Sequence, residues 1–128
     1  MNIQVDLVTQ PIPYPAWQLP DSGTSGALAE FYGIVRGKEG QAAIVGLEYE
    51  AYTSMAASSM TRILEELAID FPCEAAKVIH RHGPIRVGEA AIYIGLRAAH
   101  RKEAFGLLSA FMDRLKQDVP IWKTGIIT

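Results

Sequence analysis

Residues 75–98, "AAKVIHRHGPIRVGEAAIYIGLRA", decide the fold class of this chain. Two runs rich in β-branched and other apolar residues flank a segment that contains glycine and proline, a pattern typical of neighbouring strands. We therefore predict two strands joined by a loop around Gly83-Pro84 and Gly88. Their apolar residues are Val78 and Ile79 in the first strand and Ile92, Ile94 and Leu96 in the second.

Apolar residues recur at helical spacing on both sides of these strands. The preceding stretch, "TSMAASSMTRILEELAID", predicts a first helix that Thr53 caps and that ends at Phe71-Pro72. A second helix is predicted from about His100 to Asp118. The stripes expected to be buried are Met55, Met60, Ile63, Leu64 and Leu67 in the first helix and Ala104, Leu108, Phe111 and Leu115 in the second.

The N-terminal half predicts further strands. Residues 3–7 alternate between apolar and polar side chains, whereas residues 10–23 carry four prolines and are predicted to form a loop. We interpret residues 26–36 as a strand and residues 42–52 as a second strand that pairs with it across the turn "GKEG". This order predicts an α+β fold in one domain, residues 1–128, with two main helices packed on a largely antiparallel sheet.

Composition excludes several classes of protein. The chain has 128 residues, 49% of them hydrophobic, which is enough for one domain with a modest core. A net charge of −2 gives no general attraction for nucleic acid. The single cysteine, Cys73, fits a reducing compartment, and an inert thiol is the commoner reading than a nucleophile. No secretory pattern or bilayer-length apolar segment is evident, so we expect a cytoplasmic protein that does not bind membranes.

Basic residues gather at the predicted start of the second helix. Arg97, His100, Arg101 and Lys102 lie there, where free backbone N–H groups and the helix dipole favour an anion. Cations at this end of a helix work against the dipole, and a bound phosphate would compensate for them. A set of solvated charges explains the same residues equally well, so both interpretations stay open.

His80 and His82 are two residues apart on a predicted strand, so they would share a face as two metal ligands might. A third ligand is missing, because His100 is the one other histidine, there is no cysteine pair and no acidic residue stands at diagnostic spacing. We therefore expect no metal here and a structural role for this loop.

The stretch "LKQDVPIWK", residues 115–123, holds two lysines separated by a proline. Pro120 cannot lie inside a helix, so the chain must leave the helix between Lys116 and Lys123. A lysine can neutralise an oxyanion or, when desolvated, serve as a neutral nucleophile or base. With Arg36, His100 and Arg101, these lysines form a candidate site for an anionic substrate.

Three separated stretches, "FYGIVRGKEGQAAIVGLEYEAYTSMA", "VIHRHGPIRVGEAAIYIGLRAAHRKEAF" and "LKQDVPIWK", together resemble the large catalytic subunit of molybdopterin synthase. The resemblance implies that family's α+β fold and a homodimer that becomes a heterotetramer with two small ubiquitin-like sulfur-carrier subunits. It also implies a sulfurtransferase that converts cyclic pyranopterin monophosphate into the dithiolene of molybdopterin. The sulfur comes from the thiocarboxylate at the carrier's C-terminal Gly-Gly, and no metal or other cofactor is needed.

The resemblance also implies roles for individual residues. Lys116 and Lys123 would be the catalytic lysines near the carrier's terminal carbonyl. Arg36, His100 and Arg101 would hold the phosphate of the pterin. In the family the site draws on both protomers, so these residues need not meet within one chain. Phe31 stands where the family has an aromatic residue near the pocket, although it could equally well be a residue of the hydrophobic core.

Two departures from the family pattern bear on this interpretation. Ala98 stands where relatives commonly have a serine, which we expect to remove a helix cap worth about 1 kcal/mol. Relatives also usually continue past the position of Lys123 with basic and aromatic residues, so the pocket is expected either to be more open or to be completed by another group. The alternative hypothesis is a non-catalytic module that binds the carrier or a phosphate ligand and has lost turnover.

Overall fold

The computed structural model describes residues 1–17 and 23–128. Groups of strands are separated by two helices along the chain, in an α+β arrangement. The elements are β1 (Asn2–Val8), β2 (Ala27–Ile34), β3 (Lys38–Glu39), β4 (Ala42–Ala43), β5 (Gly46–Ala51), α1 (Thr53–Leu67), β6 (Ala75–Arg81), β7 (Gly83–Arg86), β8 (Ala90–Ala98), α2 (Arg101–Asp118) and β9 (Ile121–Ile127).

A four-stranded sheet in the order β1-β6-β8-β2 carries both helices. Only the β1-β6 pair is parallel, and the β6-β8 and β2-β8 pairs are antiparallel. Apolar side chains of β6 and β8 meet the buried faces of α1 and α2 in the main core. The predicted α+β fold, with two helices on a largely antiparallel sheet, is therefore confirmed.

A second, three-stranded sheet in the order β7-β5-β9 was not predicted, and it corrects the predicted strand pairing. β5 pairs with β7 and β9, whereas β2 pairs with β8. The "GKEG" turn closes only the short β3-β4 hairpin, after which the chain crosses to the other sheet. Residues 75–98 also form three strands, because Gly83, at a φ of +86°, separates β6 from β7.

The two predicted helices are present, with differences at their surfaces. Tyr52 is the cap residue of α1 and no side chain caps the helix, so the predicted Thr53 cap is wrong. Met55 is 59% exposed and does not belong to the buried stripe. In α2 the predicted Ala104 and Phe111 are buried, Leu107 is buried as well, and Leu108 is only partly buried against the core.

The proline-rich segment runs without regular structure from the end of β1 to Trp17. Ala16 and Trp17 are buried and pack with Ile79 and Tyr93 on the four-stranded sheet. The rest of the predicted loop includes residues 18–22, which lie outside the described residues. Among the residues that are described, no helix is long and apolar enough to cross a membrane.

Gly46 gives a test of the second sheet. A Cβ at this position would lie 2.6 Å from the carbonyl oxygen of Ile85 on β7, and that backbone atom cannot move without disturbing the β5-β7 pair. We expect Gly46→Ala to lower the free energy of unfolding by about 1–3 kcal/mol, measured by urea denaturation. Gly125→Ala in β9 is the matched control, since a Cβ there meets nothing within 4 Å. Equal stabilities of the two variants would contradict the close β5-β7 approach.

Candidate functional site

A cavity of about 370 Å³ lies where the two sheets and the C-terminal half of α2 meet. Its walls are apolar and its charged side chains are mostly basic. The residues that line it include Phe31, Gly33, Arg36, Lys38, Glu39, Tyr49, His80, Ile92, Met112, Leu115, Lys116 and Lys123.

Lys116 and Lys123 both line this cavity, although they come from different elements. Lys116 lies in the last turn of α2, which ends at Asp118. Val119 then adopts an extended conformation, and after Pro120 the chain continues as β9, which pairs Lys123 with Tyr49. The predicted exit from the helix at Pro120 is confirmed, and it brings the second lysine to the cavity from the opposite side.

Trp122 lies on the other face of β9 from Lys123, as the alternation of a strand requires. Its ring packs edge-on against Tyr52, with 5.0 Å between ring centroids, and it is 37% exposed. This aromatic pair holds the start of β9 against the end of β5, where the Tyr52 N–H also donates to the Pro120 carbonyl at 3.1 Å.

Glu39 forms an ion pair with Lys123 inside the cavity mouth. Nζ of Lys123 lies 3.0 Å from each carboxylate oxygen. Both side chains are 40% exposed, so the pair is worth at most about 1 kcal/mol to stability. The ion pair matters for position: the Glu39 carboxylate holds the Lys123 ammonium group in place at the cavity. Sequence reasoning missed Glu39, because β3 and β9 are distant in the chain.

Arg36 and Phe31 complete the predicted part of the site. Arg36 follows β2 and is exposed at the cavity, while Phe31 is partly buried and touches both the cavity and the main core. A Cβ on Gly33 would lie 2.7 Å from Ile92 and 3.3 Å from the Phe31 ring. The Phe31 ring therefore fits here because Gly33 has no side chain. Four of the six predicted site residues therefore meet at one cavity.

His100 and Arg101 do not reach this cavity within the chain. His100 is the cap residue of α2, exposed, with Nδ1 3.9 Å from the Glu103 carboxylate. They follow β8 at Ala98, whereas Ala91 near the start of β8 lines the cavity. At the usual rise of a strand these two alanines are about 23 Å apart. Ala98 itself is buried in β8 and is not the cap residue, so the expected cost of a lost cap does not apply.

His80 is a cavity residue that sequence reasoning assigned only to a loop or, with His82, to a metal site. It is 7% exposed and lines the cavity, whereas His82 lies beyond the end of β6 and lines a separate cleft with Trp122. Burial lowers the pKa of His80. The described residues contain no group of three His, Cys, Asp or Glu placed to hold a metal ion.

The surroundings of Cys73 favour a protonated, unreactive thiol at neutral pH. Its thiol is partly buried beside α2 and donates to the Glu103 carbonyl at 3.8 Å. Burial, with the negative charge of Glu103, raises the pKa of this thiol to about 11. Because the thiolate is the reactive form, the inert interpretation of Cys73 is the one its surroundings support.

The fold and the cavity define a class: an α+β domain with a cavity lined by cationic side chains from several elements. Residues 8–118 match the family model described as MoaE protein. A relative from Pyrococcus abyssi, a molybdopterin synthase catalytic subunit, is 37% identical over 126 residues, which cover 96% of this chain and 85% of the relative. The chain belongs to the MoaE family.

Solved structures agree with this assignment. The crystal structure of molybdopterin synthase from Staphylococcus aureus superposes with a TM-score of 0.84 and 31% identity, covering 91% of this chain and 86% of that one. A protein-protein complex of subunits 1 and 2 of the molybdopterin-converting factor from Helicobacter pylori superposes with a TM-score of 0.70, at 21% identity over 98% of this chain and 88% of that one. The second likeness shows the fold alone.

Proposed function

We infer that this chain is the sulfurtransferase subunit of a molybdopterin synthase. It converts cyclic pyranopterin monophosphate into molybdopterin, using sulfur from the C-terminal thiocarboxylate of a small ubiquitin-like carrier. One observation carries the proposal: Lys116, Lys123 and Arg36 come from α2, β9 and the segment after β2, and all line one cavity. The family assignment and its molybdopterin synthase relatives give the reaction its identity.

The cavity suits an acyl group that passes its sulfur to a carbon atom. Attack at or departure from the carrier's terminal carbonyl places negative charge on an oxygen, and fixed cations stabilise that charge most when they need not reorganise. Glu39 holds Lys123 in position before any ligand binds. The apolar wall from Met112 and Leu115 lowers the local dielectric, which strengthens these charge interactions.

The proposed assembly is a homodimer that binds a carrier at each end, giving a heterotetramer. The Pyrococcus abyssi relative is named a catalytic subunit, which supports the presence of a second kind of subunit. His100 and Arg101 are assigned to the phosphate of the pterin bound in the partner's cavity. Their distance from the cavity of their own chain supports this assignment. The absence of a disulfide partner for Cys73 supports a cytoplasmic location.

A product assay tests the function. The protein is mixed with thiocarboxylated carrier and cyclic pyranopterin monophosphate, and the dithiolene product is measured as its fluorescent oxidised derivative. Product formation separates an enzyme from the alternative, a module that binds the carrier or a phosphate ligand without turnover. No product with a carrier that is active on another synthase would overturn the proposal.

Arg101→Ala, and likewise His100→Ala, is expected to weaken binding of the pterin. Each removes one charge-assisted contact to a phosphate, which is worth about 1.5–3 kcal/mol and corresponds to roughly a 10- to 100-fold higher half-saturation concentration. Initial rates across a range of pterin concentrations measure this, and the maximal rate should change far less. An unchanged half-saturation concentration in both variants would refute the phosphate role.

A further inference from the structure

His80 stands out among the cavity residues because it is buried, polar and not part of any ion pair. It lies on β6 beside the apolar core and is 7% exposed. Its ring nitrogen Nδ1 is 2.8 Å from the Arg81 carbonyl oxygen. A carbonyl can only accept, so Nδ1 carries the proton, and Nε2 of the neutral ring keeps its lone pair. Nε2 has no hydrogen-bond partner among the described residues.

The charged and titratable groups around His80 come from every element that packs near it. Tyr49 on β5 meets the ring edge-on at 6.1 Å between ring centroids. On β1 the residue opposite His80 is the apolar Leu7. The remaining neighbours are Arg81 and His82 along its own chain segment, and the cavity residues Arg36, Lys38, Glu39, Lys116 and Lys123. Desolvation by burial lowers the pKa of His80 and the nearby His82 acts in the same direction, whereas the hydrogen bond to the Arg81 carbonyl opposes them, and the net shift of the pKa is downward. The imidazole is therefore neutral at pH 7.

Most of the other polar groups at the cavity are poorly suited to take up a proton. Lysine ammonium and arginine guanidinium groups have donors and no acceptor. Both carboxylate oxygens of Glu39 already accept from Lys123. A neutral imidazole with a free lone pair and a fixed tautomer is the side chain best suited to general base catalysis near neutral pH.

The proposed sulfur transfer requires such a base, and this step of the argument rests on the proposed function. Once sulfur has bonded to a pterin carbon, the carrier's acyl group is still attached to it, so water must cleave that acyl–sulfur bond. Water adds its oxygen to the carbonyl carbon, and the carbon–sulfur bond breaks with its electron pair on sulfur. The carrier leaves as a carboxylate, one proton of the water ends on the sulfur, and the other must go to a base.

We propose that Nε2 of His80 accepts this proton and that His80 is the general base for release of the carrier. Lys116 and Lys123 then act as cations at the carbonyl oxygen, and proton acceptance falls to a different residue. These separate roles follow from the geometry, because the two lysine ammonium groups and the Nε2 lone pair of His80 lie on different elements around one cavity.

Single-turnover reactions of His80→Gln test the proposal. The variant, the thiocarboxylated carrier and cyclic pyranopterin monophosphate are mixed, and intact-mass spectrometry follows the acyl–sulfur adduct of carrier and pterin. We expect the adduct to accumulate and product release to slow by about 100-fold or more. In the wild type the release rate should fall as the pH drops through the pKa of His80, and this limb should be absent in the variant. His82→Gln, in the separate cleft, is the matched control.

His80→Asn keeps a donor to the Arg81 carbonyl and removes the base, so it replaces His80→Gln should that variant fail to fold. Product release at the wild-type rate in the folded variant overturns the inference. Loss of adduct formation together with weakened pterin binding also overturns it, since that pattern marks a purely structural residue. A wild-type protein that forms neither adduct nor product refutes the proposed function itself, which is a different result from an active wild type with an unaffected variant.

Discussion

Lys123→Ala is expected to reduce turnover about 10²- to 10³-fold, the loss typical of removing one preorganised group at a developing oxyanion. The side chain lies at the cavity on β9, with its ammonium held by Glu39, so its loss removes charge from the reaction centre. Lys116→Ala should act in the same direction from α2. Single-turnover formation of the dithiolene product measures both effects, and binding of the carrier, measured by calorimetry, should change little.

Two companion variants sharpen this result. Arg62→Ala removes an exposed cation from α1, far from the cavity lining, and should leave turnover unchanged. Glu39→Gln keeps the shape of the side chain but ends the ion pair with Lys123, so it should lower turnover less than Lys123→Ala does. Wild-type rates in both lysine variants would show that the site assignment is wrong even though the family assignment stands.

Sequence reasoning predicted the parts of the fold that depend on local signals. The helical periodicity of residues 101–118 and the break at Pro120 appear in α2 and its end. The predicted pairing of residues 26–36 with residues 42–52 was wrong, because strand pairing depends on contacts between residues far apart in the chain. The turn after Arg36 resembled a hairpin connection, yet β2 pairs with β8 and β5 pairs with β9. Nothing in a short alternating stretch specifies which sheet it will join.

The same distinction between local and long-range information applies to the candidate site. Lys116 and Lys123 were identified because a proline between two lysines is a local feature, and the resemblance gave it meaning. Glu39 and His80 were missed because their importance comes only from what β3 and β6 are folded against. His80 could have been noticed from strand alternation, which places it on the opposite face from its buried neighbour Ile79. Which face borders a cavity was not readable from the sequence.

Mixing two strongly impaired homodimers is expected to restore activity, because the proposed site takes residues from both protomers. One parent carries Lys123→Ala and the other carries His100→Ala with Arg101→Ala. In a mixed dimer, one site combines both defects, while the other combines intact lysines with an intact His100 and Arg101. Random exchange of protomers should therefore recover about a quarter of the wild-type rate, since half of the dimers are mixed and one of their two sites is intact.

The recovered rate distinguishes a site shared between two protomers from a site within one chain. Both arrangements predict the same low activity for each parent homodimer. If every site lay within one chain, each protomer of a mixed dimer would still carry its own defect, and mixing would give nothing above the parents. The distance of about 23 Å between the cavity end and the far end of β8 makes the shared arrangement the expected one. The rate is measured at a pterin concentration below half-saturation, after exchange through mild denaturation and refolding, with each parent treated alone as the control. Activity that stays at the parental level in verified mixed dimers would show that each site lies within one chain and would contradict the shared arrangement.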